Sequence, residues 1–160
     1  MRRKWIGLLA ALLAGLLLLS GAVGTAFSAG RNAAGGIRTQ GPAIIRPQEI
    51  ADYLFAWGEL PPNFITKREA RELGWVSFRN DVSDVAPGMS IGGNFFGNYE
   101  EKLPVGKGIS YREADCNYVS GPRGAERIVY SSDGRVWYTG DHYQTFQELF
   151  PSGTEREAGP

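Results

Sequence analysis

Tyr111-Arg112-Glu113-Ala114-Asp115-Cys116-Asn117-Tyr118 reads as a central β-strand. Successive side chains of a strand point to opposite faces, so Glu113 and Asp115 share one face while Ala114 and Cys116 share the other. Downstream stand Arg123 and Arg127, beyond a Gly-Pro turn, and then the single histidine in Asp141-His142-Tyr143. Each group has a plain reading and a chemical one. Glu113 is an ordinary strand carboxylate or a proton acceptor. Asp115 with Arg123 and Arg127 is a structural ion pair or a cluster that pre-orients guanidinium groups for a phosphate. His142 is a loop residue or a proton donor suited to neutral pH. Together, a carboxylate, an imidazole and a group of cations are what cleavage of RNA by its own 2′-hydroxyl requires.

Working outward, the period stays at two after Tyr111. Strands are expected over residues 127–131, 135–139 and 144–149, with a loop at Ser120-Gly121-Pro122 and a hairpin at Asp133-Gly134, making an antiparallel meander. Ile128, Tyr130, Val136, Tyr138, Phe146 and Leu149 are expected on its inner face. Before it come helices. Arg46-Pro47-Gln48-Glu49 opens one whose stripe is Ile50, Tyr53, Leu54 and Trp57, ended by Gly58. Thr66-Lys67-Arg68-Glu69 is a capping-box pattern for a second helix, ended by Gly74. Residues 81–86 make one helical turn before Pro87-Gly88. Lys67, in a first helical turn, opposes the dipole; it reads as a surface lysine or as a holder of an anion. Residues 90–100 form a strand entering a loop rich in Gly and Asn, which reads as a turn or as a ligand loop. Helices first and strands last predict an α+β fold, with N-terminal helices packed on one face of a C-terminal antiparallel sheet.

The chain has 160 residues, and a leader is expected over residues 1–29: a basic Met1-Arg2-Arg3-Lys4, an apolar run from Trp5 to Leu19, and small residues suited to signal peptidase. The expectation is secretion, with an uncut membrane anchor as the rival. Residues 30–41 read as a flexible linker or pro-segment, residues 42–150 as one domain with one core, and residues 151–160 as a polar tail. Cys116 is the single cysteine, so it forms no internal disulfide and reads as a small buried hydrophobe. No spacing signals a metal site or a cofactor. Twelve basic and seventeen acidic side chains follow residue 41, a net charge of about −5 that excludes a nonspecific nucleic-acid binder. RNA chemistry here must rest on a local cationic site.

The stretches Ala51-Asp52-Tyr53-Leu54, Ile65-Thr66-Lys67, Leu73-Gly74-Trp75-Val76, Asp84-Val85-Ala86-Pro87-Gly88, Ser90-Ile91-Gly92-Gly93, Arg112-Glu113-Ala114-Asp115, Arg127-Ile128, Tyr130-Ser131-Ser132-Asp133 and Asp141-His142-Tyr143-Gln144-Thr145-Phe146 closely resemble the barnase-type family of secreted guanyl-specific ribonucleases. The resemblance implies the microbial ribonuclease fold and cleavage of single-stranded RNA after guanosine, through a 2′,3′-cyclic phosphate to a 3′-phosphate. It implies Glu113 as general base and His142 as general acid, with Lys67, Arg123 and Arg127 on the phosphate and Asp115 holding the arginines. It further implies Phe96, Gly97, Asn98, Tyr99 and Glu100 as the guanine loop and Tyr143 as a base-packing ring. No cofactor or metal is implied.

Two features depart from that family. Tyr99 stands where it has arginine, and Asn98-Tyr99-Glu100 is similar instead to the related fungal guanyl ribonucleases, in which the tyrosine lids the base. The domain is acidic where the family is basic. Binding to a small acidic inhibitor of the barstar type, which the resemblance implies, is weakened by both changes. The expected protein is a secreted monomer with no stable membrane association once the leader is cut. The alternatives are a catalytically weak binding module of the same fold and a membrane-anchored antibacterial ribonuclease toxin.

Overall fold

The computed structural model describes residues 30–31, 37–38 and 42–153. The leader expected over residues 1–29 and the end of the tail, residues 154–160, lie outside the described residues. Within the expected linker, β1 (Gly30–Arg31) and β2 (Ile37–Arg38) pair antiparallel.

Helix α1 (Pro47–Trp57) begins with a residue that has no N–H to leave unsatisfied and carries Glu49 in its first turn. It ends at Gly58, whose φ of 71° lets its N–H donate to the Leu54 carbonyl at 2.8 Å. Its buried face is Ile50, Ala51 and Leu54. Trp57, expected in the stripe, is instead 70% exposed: it lies in the last turn, where its ring meets Tyr53 and not the sheet. Helix α2 (Lys67–Glu72) carries the full capping box, with Thr66 Oγ1 accepting from Glu69 N–H at 3.2 Å and Glu69 Oε2 accepting from Thr66 N–H at 2.8 Å. Such a cap contributes ~1 kcal/mol and, more to the point, fixes Lys67 as the first helical residue. Helix α3 (Val82–Val85) is the expected single turn.

The sheet runs β3-β4-β5-β6-β7-β8, formed by Phe64–Ile65, Ser90–Phe96, Tyr111–Asp115, Arg127–Ser131, Val136–Thr139 and Gln147–Leu149. All pairs are antiparallel except β3 with β4, a short parallel pair that the hydrophobic pattern does not reveal. Three apolar clusters replace the one expected core. Helix α1 packs on Ala114, Cys116, Ile128 and Val136. A second cluster joins α2, α3 and the β3–β4 edge through Ile65, Ala70, Val82, Met89 and Ile91. A third lies on the other face of the sheet, around Leu103, Tyr111, Val129 and Trp137. Phe146, expected on the inner face with Leu149, packs in this third cluster. The reason is parity, because residues three apart on a strand cannot share a face. Ser152, expected in a loose tail, is tied to α1: its N–H and hydroxyl donate to Asp52 at 2.8 and 2.6 Å.

One irregularity positions the functional face. Gly92 pairs with Ala114 and Asn94 with Glu113, so Gly93, at φ 79°, is an extra residue in β4. This bulge inverts the alternation, and Phe96, which would otherwise share Gly92's face, stands opposite Tyr111 on the face that carries Glu113. Gly92 is itself crowded: a Cβ there would fall 2.6 Å from the Phe64 ring and 2.8 Å from Leu60. Gly92→Ala is therefore expected to lower unfolding free energy by ~1 to 3 kcal/mol through overpacking, as read by urea denaturation. An unchanged denaturation midpoint would show that β3 and the Leu60 loop yield without cost.

Candidate active site

Strand β5 presents Glu113 and Asp115 on the face away from α1, and both are buried, at 7% and 2% exposure. Two carboxylates removed from water this far need cations, and the fold brings three. Arg127 lies directly across from Asp115 on β6 and places Nε 3.0 Å from its Oδ1. Arg127 is held further by donation from Nη1 to the Gly124 and Glu126 carbonyls, each at 2.7 Å. Arg123 grips Asp115 bidentately at 2.6 and 2.7 Å. Burial alone would ease deprotonation of Arg123, but the Asp115 contacts win and raise its pKa.

Glu113 takes the third cation. Lys67 Nζ donates to Glu113 Oε1 at 2.6 Å, and the Tyr143 hydroxyl donates to Oε2. The start of α2 is docked by Asn94, whose Oδ1 accepts the Lys67 backbone N–H at 3.1 Å. Burial pushes the Glu113 carboxyl up, yet the hydrogen bonds from Lys67 and Tyr143 and the charges of Lys67 and Arg123 outweigh it and hold the group below the usual glutamate range. The site thus has three cations against two carboxylates, a local excess of positive charge in an acidic domain.

His142 is exposed and sits in a loop built by Asp141. His142 and Tyr143 have φ of 54° and 72°, and a left-handed residue other than glycine costs ~1 to 2 kcal/mol. Asp141 offsets that cost. It accepts from the Thr145 hydroxyl at 2.6 Å, from the backbone N–H of Thr145 and Gln144 at 2.9 and 3.0 Å, and from Thr139 Oγ1 at 2.9 Å. The Thr145 hydrogen bonds lead in lowering Asp141 to about 2. The loop sets the His142 and Tyr143 rings in contact, centroids 4.7 Å apart and planes inclined at 48°, which brings the imidazole beside the Glu113 cluster through Tyr143.

A cavity of about 430 Å³ adjoins, lined by Phe96, Gly97, Asn98, Tyr99, Glu100 and His142 among others. Its floor is aromatic, with Phe96 5.0 Å from Tyr143 and 6.2 Å from Phe146. Asn98, at φ 44°, staples the loop shut by donating to and accepting from the Leu103 backbone at 3.0 Å each. Its side chain is therefore engaged in structure. Tyr99 is 90% exposed, and its ring lies over Gly97, where a Cβ would come within 2.1 Å of it. Glu100 is ion-paired with Lys102 at 2.6 Å, and Lys102 also donates to the Tyr143 carbonyl at 3.1 Å.

All twelve residues singled out in the sequence thus fall on one face, in the cluster or along the adjoining cavity. Sequence reasoning missed Asn94, Lys102 and Asp141, and gave Tyr143 a base-packing role without its bond to Glu113. Asp141 had a signal in the Asp-x-x-x-Thr spacing of a side chain that bonds its following backbone; Asn94 depends on the bulge and had none. Cys116 is buried against α1, and burial pushes its thiol up to about 12. Among the described residues no three His, Cys, Asp or Glu side chains are grouped to hold a metal ion.

Comparison with known proteins gives this face a family. A family model described as ribonuclease matches residues 50–149. A ribonuclease of Heyndrickxia coagulans is 52% identical over 100 residues, covering 62% of this chain and 92% of that protein. A ribonuclease of Bacillus intermedius is also 52% identical over 100 residues, and the chain spans 62% of its length. The solved structure of ribonuclease Sa2 with guanosine-2'-cyclophosphate is 28% identical, with 59% of this chain and 91% of that one covered and a TM-score of 0.32. With residues 50–149 matched by the family model and about half of the aligned residues identical in its relatives, the chain belongs to the ribonuclease family.

Proposed function

We propose that this ribonuclease cuts single-stranded RNA after guanosine by transesterification, with Glu113 as general base and His142 as general acid. The observation that carries the reading is the placement of two buried carboxylates, Glu113 and Asp115, among three cations, with an imidazole at the edge of both that cluster and an aromatic cavity. Glu113 takes the proton of the 2′-hydroxyl, whose oxygen attacks phosphorus. The bond from phosphorus to the 5′-oxygen breaks, and protonated His142 gives that oxygen its proton. Lys67, Arg123 and Arg127 meet the charge that grows on the phosphorane oxygens. In the second stage His142 takes a proton from water as its oxygen attacks phosphorus, the bond from phosphorus to the 2′-oxygen breaks, and Glu113 returns a proton to that oxygen, leaving a 3′-phosphate.

Guanine selectivity is assigned to the Phe96–Glu100 loop. The guanine donor edge requires an acceptor, which Glu100 supplies once it shares Lys102, while Tyr99 covers the base and Tyr143 packs beside it. No step calls for a metal. The leader residues support export, and a barstar-type inhibitor would have to bind a face that lacks the loop arginine.

Glu113→Gln and His142→Gln are each expected to lose ~10²- to 10⁴-fold in kcat/KM on RNA with an unchanged circular dichroism spectrum. Either variant retaining most of its activity would remove that residue from the mechanism. The base must be ionised to act and its pKa is lowered, so activity should persist below the ordinary glutamate range and fall as pH drops through the folded value. Lys67→Met deletes a hydrogen bond and a charge that hold the proton off, so it should move this acid limb to higher pH as well as slow the reaction. A limb that stays in place would separate Lys67 from the ionisation of Glu113.

A further inference from the structure

A second hollow, of about 740 Å³, opens beside the phosphate-binding arginines; Arg123, Arg127, His142 and Phe78 are among its lining residues. It shares only His142 with the base cavity, so the two hollows meet at the imidazole. At this second hollow stands Phe78, fully exposed and at φ 68°, a left-handed conformation that an aromatic residue rarely adopts. The loop is braced to keep it there. Asn80 Oδ1 accepts the Val76 N–H at 2.7 Å, Asn80 Nδ2 donates to the Gly74 carbonyl at 3.1 Å, and the Arg79 N–H donates to the Val76 carbonyl at 3.0 Å.

We propose that Phe78 is a stacking platform for the nucleobase on the leaving side of the cut phosphate. This rests on the reading given under Proposed function. With guanine in the cavity at Phe96–Glu100 and its 3′-phosphate on the cations, the strand must leave past His142, the group that protonates the departing oxygen. The second hollow is what lies beyond. Asp81 and Asp84 line it against Arg79, and Arg123 and Arg127 are already held by Asp115, so charge offers little there for a further phosphate, whereas the uncharged face of a base can lie on a phenyl ring. In an acidic domain, stacking is the means of holding more RNA without more cations.

Binding of uncuttable 2′-deoxy probes to the full chain tests the proposal apart from catalysis. The pair is 2′-deoxyguanosine 3′-(methyl phosphate) and the dinucleotide in which the methyl is replaced by deoxyadenosine. The dinucleotide should bind about tenfold tighter, as the loss of one base–aromatic stack implies. That gain should vanish in Phe78→Ala and persist in Phe78→Tyr, with both variants checked for native circular dichroism. A gain absent from the unsubstituted chain, or undiminished in Phe78→Ala, would overturn the platform. RNA cleavage measured in parallel judges the catalytic reading separately: a chain that gains affinity from the added base yet cuts no RNA supports the platform and refutes the ribonuclease mechanism.

Discussion

Asp115, a carboxylate 2% exposed on the central strand, lies out of water with Arg123 and Arg127 held against it, and a charge buried that deeply requires such partners. Much else depends on that one cluster. The cross-strand pairing of Asp115 with Arg127 fixes the β5–β6 register, and the bidentate grip on Arg123 ties the loop after β5 to the sheet. Removing a partner from such a buried cluster typically costs ~3 to 5 kcal/mol, because it strands a charge out of water. The arrangement that is costly for stability is useful for chemistry. Guanidinium groups oriented by a carboxylate are ready for a phosphate without reorganising when it arrives.

Glu113 sits two residues away under a different balance. Its partners are a lysine from α2 and a phenol from the His142 loop, so its ionisation depends on elements at both ends of the chain being docked. The capping box, Asn94 and the β4 bulge fix Lys67; Asp141 fixes Tyr143 and His142. Residues 42–160 carry a net charge of about −5, yet this face gathers three cations around two carboxylates. The cluster is a local excess of positive charge within an overall acidic stretch of sequence, which fits recognition by cavities and rings more than by long-range attraction.

Much of this was legible in the residues. The period-two pattern around Glu113 and Asp115 identified the strand and its two faces, and the Thr66-to-Glu69 box located Lys67, since both are local signals carried by a few side chains. What remained hidden was non-local. The parallel β3–β4 pair spans only Phe64–Ile65, too short to show a period. Phe146 was placed by its apolarity on the α1 side, whereas the register of β8 against β7 turns it the other way. Trp57 fitted a helical stripe that the sheet does not extend far enough to bury. The site's cations and carboxylates followed from the strand alternation and the family resemblance, and the Asp141-to-Thr145 spacing was a local signal left unread, while Asn94 and Lys102 act through partners distant in sequence that no spacing announces.

The most direct test of the account is to incubate the chain with a mixed-sequence single-stranded RNA in EDTA and determine the cut sites and the chemistry of the new ends. The roles proposed for Glu113, His142 and the Phe96–Glu100 loop predict cuts after guanosine, fragments that carry a 2′,3′-cyclic phosphate before a 3′-phosphate, and no dependence on added metal. Cuts that ignore the base, new ends carrying a 5′-phosphate, or activity that appears only with a divalent cation would contradict it.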